Sequence, residues 1–486
     1  MKRLNGQRRA RFLAGGGFDA VAVSIGGMAP TVAMNLNPQQ PAQHVGRAVP
    51  LIFALCTLLL LAVAWCFAHL ARRYPGSGSS YTFVGATLGP RAGFVAGWIT
   101  LGAYLSFVMV AIAGFGLFGS NILDRFPTAP HLSPDSLSLI AAGIIGLLCL
   151  TSLRATGRAL MALEGISVLA MLALSAVVLK KVFEGHGPIG DPRIRMVFVP
   201  PDHIGIYAIA LGLGFGFLSY AGFETSATLG KEIPQASRTI PRALIFTLLT
   251  LGLICTVISA AEVLGFGLTT ADMARFTAST SLLGDLATTY AGHDVGDVFD
   301  VFAMLSAVGG GLAAAAAGSR ILDTLVRHTA PHSALGRTEG NTGTPRKAAL
   351  LILAVGALGY EAMRQVFGAS ASDAFFWAST LAALAILVAY LLVTLGAGRS
   401  VRRSTSGAER ITLVIPVIAA VAIVYTLWVN VYPIQPGAYA VLPWVALGWF
   451  VIPVVAVVAI PRIAREISAG LATDSIPQEP ACRPFG

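Results

Sequence analysis

Residues 212–243 read GLGFGFLSYAGFETSATLGKEIPQASRTIPRA, and the way this apolar run is interrupted decides the fold. Gly212, Gly214, Gly216 and Gly222 lie within it, and glycine weakens a helix, so four of them point to a helix that breaks. Glu224 follows before any basic loop is reached. A carboxylate at membrane depth costs about 2.5 kcal/mol or more and is tolerated where it faces a cavity or another polar group. Glu224 is therefore a site candidate, against the plainer reading of a glycine-rich packing helix whose acid sits near the headgroups.

Outward from this stretch the chain is apolar almost throughout. Of its 486 residues 55% are hydrophobic and only 12% charged, which excludes a water-soluble globule and predicts a polytopic, all-α membrane protein. We expect 12 transmembrane helices at 18–36, 48–71, 90–120, 137–154, 160–182, 204–230, 242–266, 297–326, 347–366, 373–398, 410–432 and 440–464. Most of the 33 Lys and Arg, among them Arg8, Arg9, Arg72, Arg73, Arg238, Arg327, Arg402 and Arg403, then fall on one side. By the positive-inside rule that side is the cytoplasm, and it holds both termini. The net charge of +10 thus reports topology, with no nucleic-acid partner implied. Asp272, Asp285, Asp294, Asp297 and Asp300 gather in or beside one outer loop.

The first helix, FDAVAVSIGGMAPTVAMNL, carries Gly26-Gly27 and then Pro30 at its middle. Proline removes a backbone donor, and the glycines make local unwinding cheap. Two interrupted helices five apart are the sequence sign of an inverted repeat with a substrate site at the breaks. The expected organisation is a tail at 1–17, five-helix repeats at 18–182 and 183–398, two further helices at 399–464, and a tail at 465–486.

Four stretches resemble the amino acid–polyamine–organocation (APC) superfamily of permeases: Phe217 to Ala243, Gly318 to Ala348, Tyr74 to Trp98, and the helix-one segment SIGGMAPTVAM. The resemblance implies a five-plus-five inverted-repeat bundle, like the leucine transporter's, with two C-terminal helices. Such a protein is a secondary active transporter that moves an amino acid across the plasma membrane by alternating access. Carried over by position, Ser24, Gly26, Gly27, Met28 and Ala29 hold the substrate carboxylate on free amides. Carbonyls from Leu218 to Ala221 accept its ammonium, and Phe217, Leu218 and Tyr220 line the pocket. Some members have a gating Trp where this chain has Leu218; Phe215 or Phe217 could stand in.

Gradient-driven transport needs a coupling ion, here H+ bound by a buried acid. Glu224 is the first candidate, and Glu164 on helix five the second, with Ser167 as the alternative match and a pairing with a nearby Arg as the plain reading. Asp19 reads as a helix cap or gate partner. Tyr104 reads as packing, and Trp428, Trp444 and Trp449 as an aromatic belt. Cys56, Cys66, Cys149, Cys255 and Cys482 have no metal-like spacing, and no cofactor is expected. No His-Glu-x-x-His or Gly-x-Ser-x-Gly pattern supports an enzyme, and no Walker loop supports nucleotide use. A polyamine or other amine permease, or a non-transporting sensor on the same fold, is the alternative. The scarcity of acids near the breaks favours a neutral amino acid.

Overall fold

The computed structural model describes residues 17–74, 79–125, 132–151, 153–202, 204–229, 233, 235–329, 345–460 and 465–467, without the side chains of Phe18, Asp19, 153–158 and Leu229. Both predicted tails and the loop between helices eight and nine lie almost wholly outside the described residues. Among the described residues the chain is helical and holds no strand. Eight helices are long and apolar enough to cross a membrane, and three shorter apolar ones lie at Ala20–Leu36, Pro134–Leu150 and Ile206–Ser219. The protein is a multi-pass membrane protein.

The first of the short ones is two helices, α1 (Phe18–Met28) and α2 (Pro30–Leu36), separated by Ala29 at φ 42°, ψ 59°. Proline explains the break: it bars the preceding residue from the right-handed helical region and has no N–H to continue the ladder. After α3 (Gln39–Val45), α4 (Val49–Arg73) and α5 (Ser80–Leu88), the 35-residue α6 (Pro90–Asp124) runs through the centre of the bundle. Then come α7 (Pro134–Leu150), α8 (Leu153–Lys181) and α9 (Ile206–Ser219). A turn at Tyr220–Gly222 separates α9 from a 3-10 helix at Phe223–Leu229. The second half comprises α10 (Ala236–Phe266), α11 (Thr270–Ala278), α12 (Leu282–Ala291), α13 (His293–Thr329), α14 (Arg346–Gln365) and α15 (Ala371–Arg402). It is followed by α16 (Gly407–Ile411), α17 (Val414–Val431) and α18 (Leu442–Ala459).

The helices α13 and α15 each pack along α6, while α10 lies against α4. Two spans split where the sequence reading expects interrupted helices, whereas the expected outer loop at 267–296 contains α11 and α12 instead of irregular chain. At α11 the Thr269 and Asp272 side chains cap each other's backbone N–H groups, at 3.2 and 3.1 Å. The Thr269 bond, then Arg275, holds the Asp272 carboxyl below its usual range. The α11–α12 junction is strapped to both sides of the bundle. Asn35 Oδ1 accepts from Ser281 Oγ and Leu283 N, both at 3.0 Å, and Gln39 Nε2 donates to Ser279 O at 2.6 Å. On the α6 side Asn121 donates to Thr280 O at 3.4 Å, and Arg125 pairs with Asp297 and, at 3.0 Å, with the buried Asp300. At the opposite end Arg73 binds both oxygens of Glu409, at 2.7 and 2.9 Å.

The aromatic-belt reading holds for position only in part. Trp428 and Trp444 are 60% and 64% exposed, as lipid-facing side chains should be. Trp449 instead stacks on Trp98 with ring centroids 5.0 Å apart, and its N–H donates to Trp98 O at 3.0 Å. It fits because Gly102 has no side chain to exclude it.

The breaks in helices one and six meet at two glycines. Gly222 adopts φ +106°, and a Cβ there would fall 2.6 Å from the Gly27 carbonyl carbon. A Cβ on Gly27 would fall 2.6 Å from Thr225 Oγ1. We expect Gly222→Ala to destabilise the detergent-purified protein by about 1–3 kcal/mol in thermal unfolding. Gly143→Ala on α7, where a Cβ meets nothing within 4 Å, should instead be neutral or stabilising.

Candidate functional site

The two breaks open onto a small cavity of about 60 Å³, room for about four waters at ~15 Å³ each. Of the residues that the resemblance assigned to substrate, Gly27, Met28, Ala29, Leu218 and Ala221 line it. Val32, Asn37, Phe107, Ala307, Gly310 and Phe375 also contribute to the wall. Four expected residues stand elsewhere. Ser24 Oγ donates to Phe223 O at 2.7 Å, and Gly26 faces the Met161 side chain. Phe217 is fully buried in the core around α4 and α10. The Tyr220 hydroxyl accepts from Thr57 Oγ1 at 3.1 Å and donates to Phe53 O at 3.3 Å. The cause is helical phase: with Leu218 and Ala221 turned to the cavity, Phe217 and Tyr220 one step earlier point into the protein. Of the two phenylalanines preceding Leu218 in the sequence reading, Phe217 lies in the core, and the ring of Phe215 meets that of Phe376 edge-on at 6.4 Å.

Glu224 sits just past the helix-six turn and is 6% exposed. Its Oε2 accepts from Tyr390 Oη at 2.7 Å and from Gly222 N at 3.0 Å, and its Oε1 from Tyr104 Oη at 3.2 Å. One carboxylate thus joins α6, α15 and the broken helix. The packing role read for Tyr104 is corrected: its hydroxyl has a partner 120 residues away. Tyr390 went unnoticed in the sequence, where a lone Tyr in an apolar helix carries no distinguishing signal.

Glu164 lies on α8 and is likewise buried. Its Oε1 accepts from Thr31 N at 3.0 Å and Thr31 Oγ1 at 2.9 Å, and Thr31 Oγ1 lies 2.7 Å from Ser167 Oγ. Glu164 and Ser167 therefore belong to one hydrogen-bonded cluster around Thr31. Thr31 is the second residue of α2, so the acid caps the positive end of that half-helix. Part of the anion-attracting end that the resemblance gives to a substrate carboxylate is taken here by the protein's own carboxylate. The side chain of Asp19 lies outside the described residues.

Further buried acids escaped the sequence reading. Glu262 on α10 is fully buried, and neither of its carboxylate oxygens has a hydrogen-bond partner among the described residues. Asp323 pairs with Arg327 at 3.0 Å. Among the described residues no cluster of His, Cys, Asp or Glu could hold a metal, and Cys56, Cys66, Cys149 and Cys255 are free thiols.

A bundle of apolar helices, two of them unwound where they flank a cavity, defines a membrane permease. Residues 16–458 match the family model described as amino acid permease, and the chain belongs to that family, part of the APC superfamily. It is 26% identical over 408 residues to the low-affinity putrescine importer PlaP of Escherichia coli strain K12, covering 82% of this chain and 84% of that one. It is also 26% identical to the branched-chain amino acid permease BcaP of Lactococcus lactis subsp. cremoris, over 48% of this chain and 51% of that one. The methylthioribose transporter of Bacillus subtilis is 24% identical over 53% of this chain and 56% of its own length. The protein is a transporter of small molecules, not an enzyme.

The Glu224 bonds are directly testable. Tyr390→Phe should destabilise the purified protein by about 1.5–3 kcal/mol, the range for a hydrogen bond to a charged group. In a Glu224→Leu background the same change should have little effect, as read from a double-mutant cycle in thermal unfolding.

Proposed function

We propose that the protein is a secondary active transporter that carries a neutral amino acid across the plasma membrane by alternating access, driven by a proton gradient. The observation that carries this reading is the pair of interrupted helices in backbone contact beside a cavity, Gly27 on one and Gly222 on the other. Peptide groups freed from helical bonding can hold the ammonium and carboxylate of an amino acid without any charged side chain.

The eight long spans, the three short ones and α14 supply the twelve crossings of the proposed architecture. In it α1–α8 form the first five-helix repeat, α9–α15 the second, and α17 and α18 the appended pair. Both termini are placed in the cytoplasm, with α11 and α12 outside. The cavity-lining residues Gly27, Met28, Ala29, Leu218 and Ala221 take the substrate. Ser24, Gly26, Phe217 and Tyr220 support the breaks from behind.

Glu224 and Glu164 are the proposed coupling groups. Each is held by donors from an element that must move if the cavity is to open: Tyr104 and Tyr390 for Glu224, Thr31 for Glu164. A proton added to either carboxyl converts an acceptor into a donor and rewrites these bonds. Asp19, at the start of α1, remains a proposed gate residue.

A second reading, import of a diamine, is favoured by the match to PlaP along 84% of its length. Against it, no acidic side chain lines the cavity to receive a second ammonium.

Uptake of a labelled amino acid panel and of putrescine into proteoliposomes, with and without an inward proton gradient, tests the reading. Accumulation of a neutral amino acid that needs the gradient is expected; accumulation of putrescine alone would select the second reading. Glu224→Gln should abolish gradient-driven uptake while leaving part of the substrate exchange across the membrane, and unaltered uptake would remove Glu224 from coupling.

A further inference from the structure

Asn37 is the only amide, hydroxyl or charged side chain among the residues lining the cavity. It stands eight residues beyond Ala29, about two turns further along the same face as Ala29 and Ala33. Its Nδ2 donates to Ser219 Oγ at 2.9 Å, and the Ser219 hydroxyl donates in turn to Phe215 O at 3.0 Å. That chain of donors fixes the amide. Ser219 has spent its hydrogen on Phe215, so it can only accept from Asn37, and the amide must turn its NH2 toward it. Asn37 Oδ1 is left pointing away from Ser219, and no donor among the described residues reaches it. It is not among the sealed, partnerless polar atoms of the described residues, and Asn37 lines the cavity, which points this oxygen toward that space.

We propose that Asn37 is a specificity-determining residue, whose carboxamide oxygen accepts a hydrogen bond from a hydroxyl on the substrate's side chain. The permease then prefers serine and threonine over their apolar counterparts alanine and valine. This inference rests on the amino acid reading above and narrows it. The chemistry selects the donor. A carboxylate would be repelled by Oδ1, and a side-chain ammonium would be buried without a counter-charge, which a neutral amide does not offset. A hydroxyl needs only one acceptor, and the small cavity suits a short side chain. Val32, Phe107, Leu218 and Phe375 supply the apolar remainder, so the discrimination comes from one oxygen. A substrate without the hydroxyl leaves that oxygen desolvated and unpaired, the situation in which hydrogen-bonding sites reject analogues most strongly.

Threonine and valine have nearly the same shape, so competition between them in proteoliposomes reads this oxygen directly. With labelled threonine as the transported species, unlabelled threonine should inhibit wild-type uptake at about tenfold lower concentration than valine, and serine likewise against alanine. Asn37→Leu should bring the threonine-to-valine ratio close to one. Ser219→Ala, which releases the amide from its fixed orientation, should reduce the ratio without abolishing transport of valine. A merely structural role would lower uptake of both substrates and leave their ratio unchanged. The inference is overturned if valine competes as well as threonine against the wild-type protein, a measurement that needs no variant to fold. It is equally overturned if Asn37→Leu or Ser219→Ala keeps the full preference. Uptake of amino acids with no hydroxyl preference would sink this inference alone, whereas no uptake of any amino acid by the wild type would sink the transport reading with it.

Discussion

Gly27 and Gly222 touch backbone to backbone, and the arrangement of the site follows from there being no side chain between them. A peptide unit out of helical register must find new hydrogen-bond partners in a medium that offers none. Here one bond crosses between the breaks and others come from side chains within the helix-six turn. Ser24 reaches the Phe223 carbonyl, Gly222 N–H reaches Glu224, and Thr225 turns its hydroxyl onto the Gly222 carbonyl. The left-handed Ala29 costs roughly 1–2 kcal/mol on its own. It persists because Pro30 forbids the helical alternative and because Gly310 on α13 leaves room for its methyl group.

Two buried carboxylates divide the space around this crossing. Glu224 faces tyrosines of α6 and α15, while Glu164 faces the amino-terminal turn of α2. Neither has a cation beside it among the partners described. Both carboxyls are met instead by O–H and N–H donors, which can be exchanged without separating an ion pair. Both acids hold a broken half-helix against a continuous neighbour.

The sequence disclosed the breaks because their cause is local. Gly26-Gly27, Pro30 and Gly222 act on the backbone where they stand, and apolar run length does the same for the spans. The partners of the acids were not legible, because they are fixed by packing between distant segments: Tyr390 lies 166 residues from Glu224 and Thr31 lies 133 from Glu164. The helical phase of α9 was lost for a related reason. An all-apolar helix presents no periodicity from which to tell the cavity side, holding Leu218, from the core side, holding Phe217. Glu262 stands out in the sequence as an acid in an apolar run, but its lack of partners is a property of packing alone.

The strap across the α11–α12 junction has a mechanical consequence. Asn35 and Gln39 hold it from one side and Asn121 from the other, with the Arg125 pairs on Asp297 and Asp300 bracing the same corner. If the two sides part at that end, either the three hydrogen bonds to Asn35 and Gln39 or the Asn121 bond together with the Arg125 pairs must let go, at about 1 kcal/mol for each hydrogen bond. The bundle is therefore stiff at one mouth, with a threshold that a small thermal fluctuation does not cross. Compliance at that end is set by how many strap bonds yield together, not by the width of the chamber below.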